Sequence, residues 1–239
     1  MSKVIIEIER SFKYFRAVAT SESTTSVGGS PQPGRARRRK RPRNDDPLAS
    51  TRVDILKSAA RAFRRLGYHG ATVEQIAAAL QMKKGNLYYY FKNKEEILFA
   101  CHQYSLDQLM RILHEVQDSG LAADEKLRRL VHAFVHTILD ELHGTALFLE
   151  LEALTPAHLK AVIVRRDEFD HGVRAVLDEG MASGTFARGD QKLLAFALLG
   201  AVNWIPRWFN PNGAASSYQI ADLFTDFFIG GLRRGSRSG

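Results

Sequence analysis

From Thr51 onward, apolar residues return at the i, i+3, i+4, i+7 spacing in one segment after another, and no stretch alternates convincingly between apolar and polar as a half-buried strand would. A chain patterned in this way must pack helix on helix, because each segment has one stripe to bury and only another helix to bury it against. Val53, Leu56, Ala59, Ala60 and Phe63 form the first stripe, which stops at Gly67. Thr72 and Gln75 read as a capping box opening a second helix, with Ile76, Ala77 and Leu80 on its inner face. A very short helix is expected over 83–90, and Asn93, paired with Glu96, opens a longer one reaching about Val116. Residues 126–142, 145–154, 156–181, 190–209 and 217–233 continue the pattern, with Gly, Pro, Asp or Ser between them, and Pro156 suits a first helical turn. The expected fold is all-α, with about nine helices.

The first fifty residues break this pattern. After an apolar-rich stretch (Val4, Ile5, Ile6, Ile8, Phe12, Tyr14, Phe15), residues 20–47 hold mainly Ser, Thr, Gly, Pro and Arg with no hydrophobic period. Such a composition cannot offset the entropy of ordering, so residues 1–49 are expected to form a disordered basic extension. Residues 1–50 carry 11 Lys and Arg against 5 Asp and Glu, whereas the other 189 residues hold 23 against 21, so most of the net +8 lies in the first fifth. The run Arg35, Arg37, Arg38, Arg39, Lys40, Arg41, Arg43 has two readings: an arm that grips phosphates, or a solvated tail, the commoner case. No run approaches the ~18 apolar residues of a membrane span, and no short apolar run precedes a cleavage site. The single Cys101 excludes an internal disulfide framework and a cysteine-rich zinc module. These features point to a cytoplasmic protein with no membrane partner.

Residues 72–91, TVEQIAAALQMKKGNLYYYF, carry the most information. Helix, tight turn and second short helix make a helix-turn-helix. Ala77, Ala78 and Ala79 are small enough for the crossing, and Ile76, Leu80, Met82, Leu87 and Tyr90 supply inner anchors. Lys83, Lys84, Asn86, Tyr88 and Tyr89 put donors on the outer face. Together with a flanking helix over 52–66 and the run LYYYFKNKEE at 87–96, the motif resembles the DNA-binding domain of the TetR/AcrR family of bacterial regulators across residues 50–98. The resemblance implies a dimer on a palindromic double-stranded operator, each recognition helix in a major groove. By position, Lys83, Gly85, Asn86, Tyr88 and Tyr89 lie on that helix, Thr72 at a helix start facing phosphate, and Lys94 at the start of a helix contacting the DNA backbone.

The chemistry suits those roles. Asn86 can pair bidentately with adenine, and Lys83 or Lys84 can donate to guanine or phosphate. Gly85 lets backbone approach the duplex, and the hydroxyls of Tyr88 and Tyr89 reach phosphate. At least one of the three tyrosines is expected to pack against the first helix instead. Two positions depart from the family pattern. Gln81 stands where glycine is usual and is expected at positive φ, a strain of ~1 kcal/mol. Lys83 replaces the customary Ser or Thr cap.

The resemblance implies that residues 99–239 form an effector-binding and dimerisation domain. Apolar residues surround the helix over 193–202, and Ile220, Leu223, Phe224, Phe227, Phe228 and Gly231 make a wide stripe on the last one, so a homodimer through the last two helices is expected, an intramolecular core being the alternative. The segment NWIPRWFNPNG at 203–213 is similar to a subset of the family that responds to acyl-CoA thioesters and related lipid or steroid catabolites. It implies an apolar tunnel lined by Phe134, Ile138, Phe148, Leu151, Phe169, Val173 and Trp204, with Trp208 on the Trp204 face and Arg165, Arg166, Arg174 or Arg207 meeting an anionic head group. Plain core packing of both tryptophans is the other reading. His132, His136 and Asp140 recur one turn apart without completing a metal motif, and Cys101 reads as a small core residue, so no metal and no cofactor is expected.

The function expected is a ligand-responsive transcriptional regulator, a repressor released from its operator by a small hydrophobic or acyl-CoA-like effector. Two other classes compete with it. One is a sequence-indifferent, DNA-coating protein driven by the basic run. The other, more remote, is a lipid- or thioester-processing enzyme. Against an enzyme stands the lack of a Gly-rich phosphate loop, a nucleophile elbow or paired carboxylates.

Overall fold

The structure, a computed structural model, describes residues 47–141, 151–210 and 212–233, and every regular element in them is helical. The order is α1 (Pro47–Gly70), α2 (Val73–Ala78), α3 (Lys84–Tyr90), α4 (Lys94–Gln117), α5 (Ala123–His136), α6 (Pro156–Ala182), α7 (Gln191–Trp208) and α8 (Ser217–Leu232). A π turn, Thr137–Glu141, follows α5, and a 3-10 turn, Leu151–Ala153, precedes α6. The ninth helix expected over 145–154 lies largely outside the described residues, as does the extension expected over 1–49, except that α1 already begins at Pro47. No helix among the described residues is long and apolar enough to cross a membrane.

Local chemistry sets the helix starts. Thr72 Oγ1 accepts from the Gln75 amide (3.2 Å) while Gln75 Oε1 accepts from the Thr72 amide (2.9 Å), and Ser216 and Gln219 repeat this box before α8. Asn93, Thr155 and Asp190 cap α4, α6 and α7 with side-chain oxygens. Each cap is worth about 1 kcal/mol. The helical path of α1 breaks at Gly67, whose φ of 71° is left-handed.

The α1–α3 unit closes around Ile55, Phe63, Ile76 and Leu87, all at most 1% exposed. Ser58 Oγ donates to the Ile76 carbonyl (3.2 Å), satisfying that carbonyl where α1 meets α2. Of the three alanines expected at the α2 crossing only Ala77 is buried; Ala78 and Ala79 face outward, because a six-residue helix has room for one inner stripe.

Helix α4 is shared: it packs on α1 as well as on α5 and α6. A Cβ on Gly172 would lie 2.4 Å from Leu113, so glycine there lets α6 approach α4 closely. Helices α5 and α8 run antiparallel and are joined by a ladder of side chains at four-residue spacing on α5. Asp124 pairs with Arg233 (2.6 Å), Arg128 with Asp226 (2.9 Å) and His132 with Asp222 (3.1 Å), and the His136 ring meets that of Tyr218 at 4.2 Å.

Candidate nucleic-acid interface and effector site

Helix α3 starts without a side-chain cap. Lys83 is extended (φ −71°, ψ 144°) and its side chain makes no capping bond, the direct consequence of lysine standing where Ser or Thr would serve. The preceding turn holds Gln81 at φ 56°, the left-handed geometry expected of the glycine it replaces. Leu87 is the anchor, completely buried, and Tyr90 is half-buried, so Tyr90 is the tyrosine that packs. Lys83, Lys84, Gly85, Asn86, Tyr88 and Tyr89 all face solvent, Tyr89 being 77% exposed. A Cβ at Gly85 would meet nothing within 4 Å, so no internal contact requires glycine there.

Lys84 is engaged across the motif. Its ammonium pairs with the Glu74 carboxylate of α2 and lies 5.5 Å from the centroid of the Tyr88 ring. The Lys84 ammonium holds Glu74 below the ordinary carboxylate range, and Glu74 in turn pushes Lys84 up. Glu74 was not among the residues expected at this surface; only the crossing of α2 and α3 brings it there.

The structure gives Lys94 a structural task. Its ammonium donates to the carbonyls of Tyr68 (2.7 Å) and Ala71 (2.8 Å) and sits 4.4 Å from the Tyr68 ring centroid, tying α4 to the α1–α2 link. Charged hydrogen bonds of this kind are worth about 1.5–3 kcal/mol. Lys94→Met is therefore expected to lower Tm by roughly 5–10 °C in thermal unfolding, whereas an unchanged Tm would mean that the ammonium is dispensable to the fold.

Of the residues expected to line a tunnel, Phe134, Ile138, Phe169 and Val173 are buried together, with the Phe134 and Phe169 rings 5.5 Å apart. Leu151 is half-buried and Phe148 lies outside the described residues. Trp204, Trp208 and Arg207 are not with them. Helix α7 turns Ala195, Leu198, Val202 and Ile205 inward, which leaves Trp204 45% and Trp208 49% exposed, and Arg207 also faces out, 6.0 Å from the Trp204 ring centroid. Trp208 stacks on Phe224 of α8 (6.3 Å), and the exposed apolar residues of these two helices include Leu193, Leu223 and Phe227. The full burial expected for α7 is therefore not met within one chain.

Among the arginines considered for an anion, Arg174 is the interior one. It pairs with Asp170, both side chains 11% exposed, and its guanidinium lies 5.3 Å from the Phe196 ring centroid. Burial pushes the Asp170 carboxyl up, while Arg174 draws it back. Arg165 instead bonds Asp107 and Gln103 of α4. An open cleft of about 610 Å³ between α4 and α6 is bounded by Met110, His114, Asp167 and His171 and shares no residue with the expected tunnel. Cys101 is fully buried in the core, as expected, and burial pushes its thiol far up. Among the described residues no group of three His, Cys, Asp or Glu has metal-binding geometry.

A second tie joins the first turn of α4 to that of α6. His158 Nδ1 lies 2.8 and 3.1 Å from the Glu95 carboxylate oxygens, the Thr155 amide donates to the same carboxylate (2.9 Å), and the His158 ring stacks on Phe99 at 3.8 Å. With Arg165 farther along, α6 grips α4 from the end that adjoins α3.

Known proteins show the same layout. Residues 55–101 match the family described as "Bacterial regulatory proteins, tetR family", and residues 120–232 match "Tetracyclin repressor-like, C-terminal domain". The HTH-type transcriptional repressor KstR2 of Mycolicibacterium smegmatis is 28% identical over 188 residues, 77% of this chain and 91% of that protein. The crystal structure of PfmR, a TetR family transcriptional regulator from Thermus thermophilus, is 31% identical over 75% of this chain and 99% of its own, with a TM-score of 0.68. AibR, solved in complex with isovaleryl coenzyme A and operator DNA, is 29% identical over 74% of this chain and 97% of its own, with a TM-score of 0.63.

Proposed function

The chain belongs to the TetR family of bacterial transcriptional regulators, and from that premise we propose that it is a dimeric repressor released from a palindromic operator by a small hydrophobic or acyl-CoA-like effector. One observation carries the reading: the outer face of α3 presents Lys83, Lys84, Asn86, Tyr88 and Tyr89 to solvent over a completely buried Leu87. A helix anchored from behind and furnished with amide, ammonium and phenol groups in front fits the major groove, where those groups meet base edges and phosphates. Gly85 adds close approach, and Thr72 lies beside the phosphates at the start of α2. The two α3 helices of a dimer would enter successive grooves about 34 Å apart.

The exposed apolar face of α7 and α8 is the natural seat of the second copy, giving a four-helix bundle at the two-fold axis. Phe134, Ile138, Phe169 and Val173, joined by Leu151, would line the apolar part of the effector site, and Arg174 would meet its anion. Trp204, Trp208 and Arg207 are assigned to the dimer face instead. Support for the thioester class comes from AibR, which holds isovaleryl coenzyme A. Release is a population shift: the effector favours a dimer whose α3 helices no longer match the groove spacing, and α6 passes the change to α4 through His158 and Glu95. A hundredfold release needs a preference of only about 2.7 kcal/mol.

The test is native mass spectrometry of the purified full chain, read for a dimer mass and a co-purified ligand, followed by selection of duplexes from a randomised library and their release by acyl-CoAs. A monomer that enriches no duplex at low ionic strength overturns the reading. Asn86→Ala is expected to weaken the selected duplex by about 1–3 kcal/mol, roughly 5- to 150-fold, and to leave binding to scrambled duplex nearly unchanged. Titrations in which both fall together would remove Asn86 from base recognition.

A further inference from the structure

We propose that Glu74 is a specificity-determining residue of the DNA surface, a carboxylate that stands in for a DNA phosphate by holding the Lys84 ammonium until a better-placed acceptor takes it. The inference rests on α3 being the DNA-contacting helix. Both partners are surface groups, Lys84 48% and Glu74 57% exposed, so the pair has no role in filling the core. The Tyr88 ring beside the ammonium narrows where it can go. Lys83, the neighbouring cation, has no ion-pair partner among the described residues and is free to meet any phosphate. The motif thus carries one cation that is always available and one that is spoken for.

This division has a consequence for recognition. Affinity for arbitrary duplex is set by the number of phosphates neutralised and by the counterions they release. On a loosely docked duplex no single acceptor is better placed than Glu74, so Lys84 stays paired and adds nothing. On the operator, a guanine edge or a phosphate held in register competes successfully, and Lys84 contributes only there. Specificity is a difference of affinities, and lowering binding to wrong duplex raises it as surely as improving binding to the right one.

The experiment uses the full chain, a duplex selected from a randomised library by the unaltered protein, and a scrambled duplex of the same length, titrated by fluorescence anisotropy over a range of salt. Glu74→Gln is expected to tighten binding to the scrambled duplex about three- to fivefold, in keeping with the strength of an exposed ion pair. It should also steepen the salt slope on that duplex by about one, the signature of one more phosphate contact. Glu74→Asp, which keeps the charge, should remain close to the unaltered protein. Glu74→Gln combined with Lys84→Gln should lose the extra slope, showing that the gain passes through Lys84. The proposal is overturned if Glu74→Gln leaves affinity and slope on scrambled duplex unchanged, if it weakens both duplexes alike, or if the double variant keeps the steeper slope. Should the unaltered protein enrich no duplex, the DNA-binding reading falls and this inference with it; enrichment followed by a silent Glu74→Gln overturns the inference alone.

Discussion

Phe227→Asp is expected to convert the protein to a monomer and to weaken operator binding by about 10²- to 10⁴-fold, the factor that tethering two half-site readers contributes. In the single chain Phe227 is 75% exposed and Leu223, one turn earlier on α8, is 68% exposed, beside the half-buried Phe224 and Phe228. Covering a phenylalanine of this kind yields about 1.5–3 kcal/mol, and a two-fold axis counts it twice. An aspartate there loses that term and sets two carboxylates near each other in an apolar seam. The fold of each subunit should survive, since the inner side of α8 (Ile220, Ala221, Thr225, Ile229) and its ladder to α5 do not involve Phe227. Sedimentation velocity together with operator titration checks both halves of the prediction. A Phe227→Asp protein that remains a dimer with full operator affinity would move the interface to another surface.

What was legible in the sequence was what local chemistry decides. Caps act over three residues, so Thr72 with Gln75 and Asn93 at the start of α4 can be read directly, while the positive φ of Gln81 is expected only because the family the motif resembles usually has glycine there. Even there the reading is half met: the Glu96 amide donates to Asn93 Oδ1 (2.8 Å), while the Glu96 side chain accepts from the Lys92 amide (2.8 Å). Contacts between residues far apart in the chain were invisible. Lys94 reaches carbonyls 23 and 26 residues away, and Glu95 meets His158 63 residues on, and neither distance leaves a periodic trace. Periodicity finds an apolar stripe without naming its partner. Trp204 and Trp208 were accordingly read into a tunnel when α7 turns them outward, because a tryptophan looks the same in sequence whether a pocket or a second subunit covers it.

Asp170→Ala is expected to cost about 3–5 kcal/mol of stability, the usual penalty for removing one member of a buried ion pair, and so to lower Tm by roughly 10 °C. The reason is the position of Arg174. Its side chain is 11% exposed with the Phe196 ring against it, so truncation removes the carboxylate it pairs with where water reaches the guanidinium poorly. Asp170→Leu combined with Arg174→Met should recover most of the loss, since a buried pair replaced by apolar groups of similar volume is often neutral. These two variants also separate a structural pair from an effector-binding one. If Arg174 receives the anionic head of a thioester, the effector supplies the missing negative charge in Asp170→Ala, and its thermal shift there should exceed that of the unaltered protein. The double variant should still dimerise and bind operator, yet resist release by the same acyl-CoA. Release of the double variant at the ordinary effector concentration would leave Arg174 a purely structural residue. An Asp170→Ala protein with an unchanged Tm would mean that solvent reaches the guanidinium after all, which would also take away the low-dielectric setting that makes a single arginine there strong enough to hold an anion.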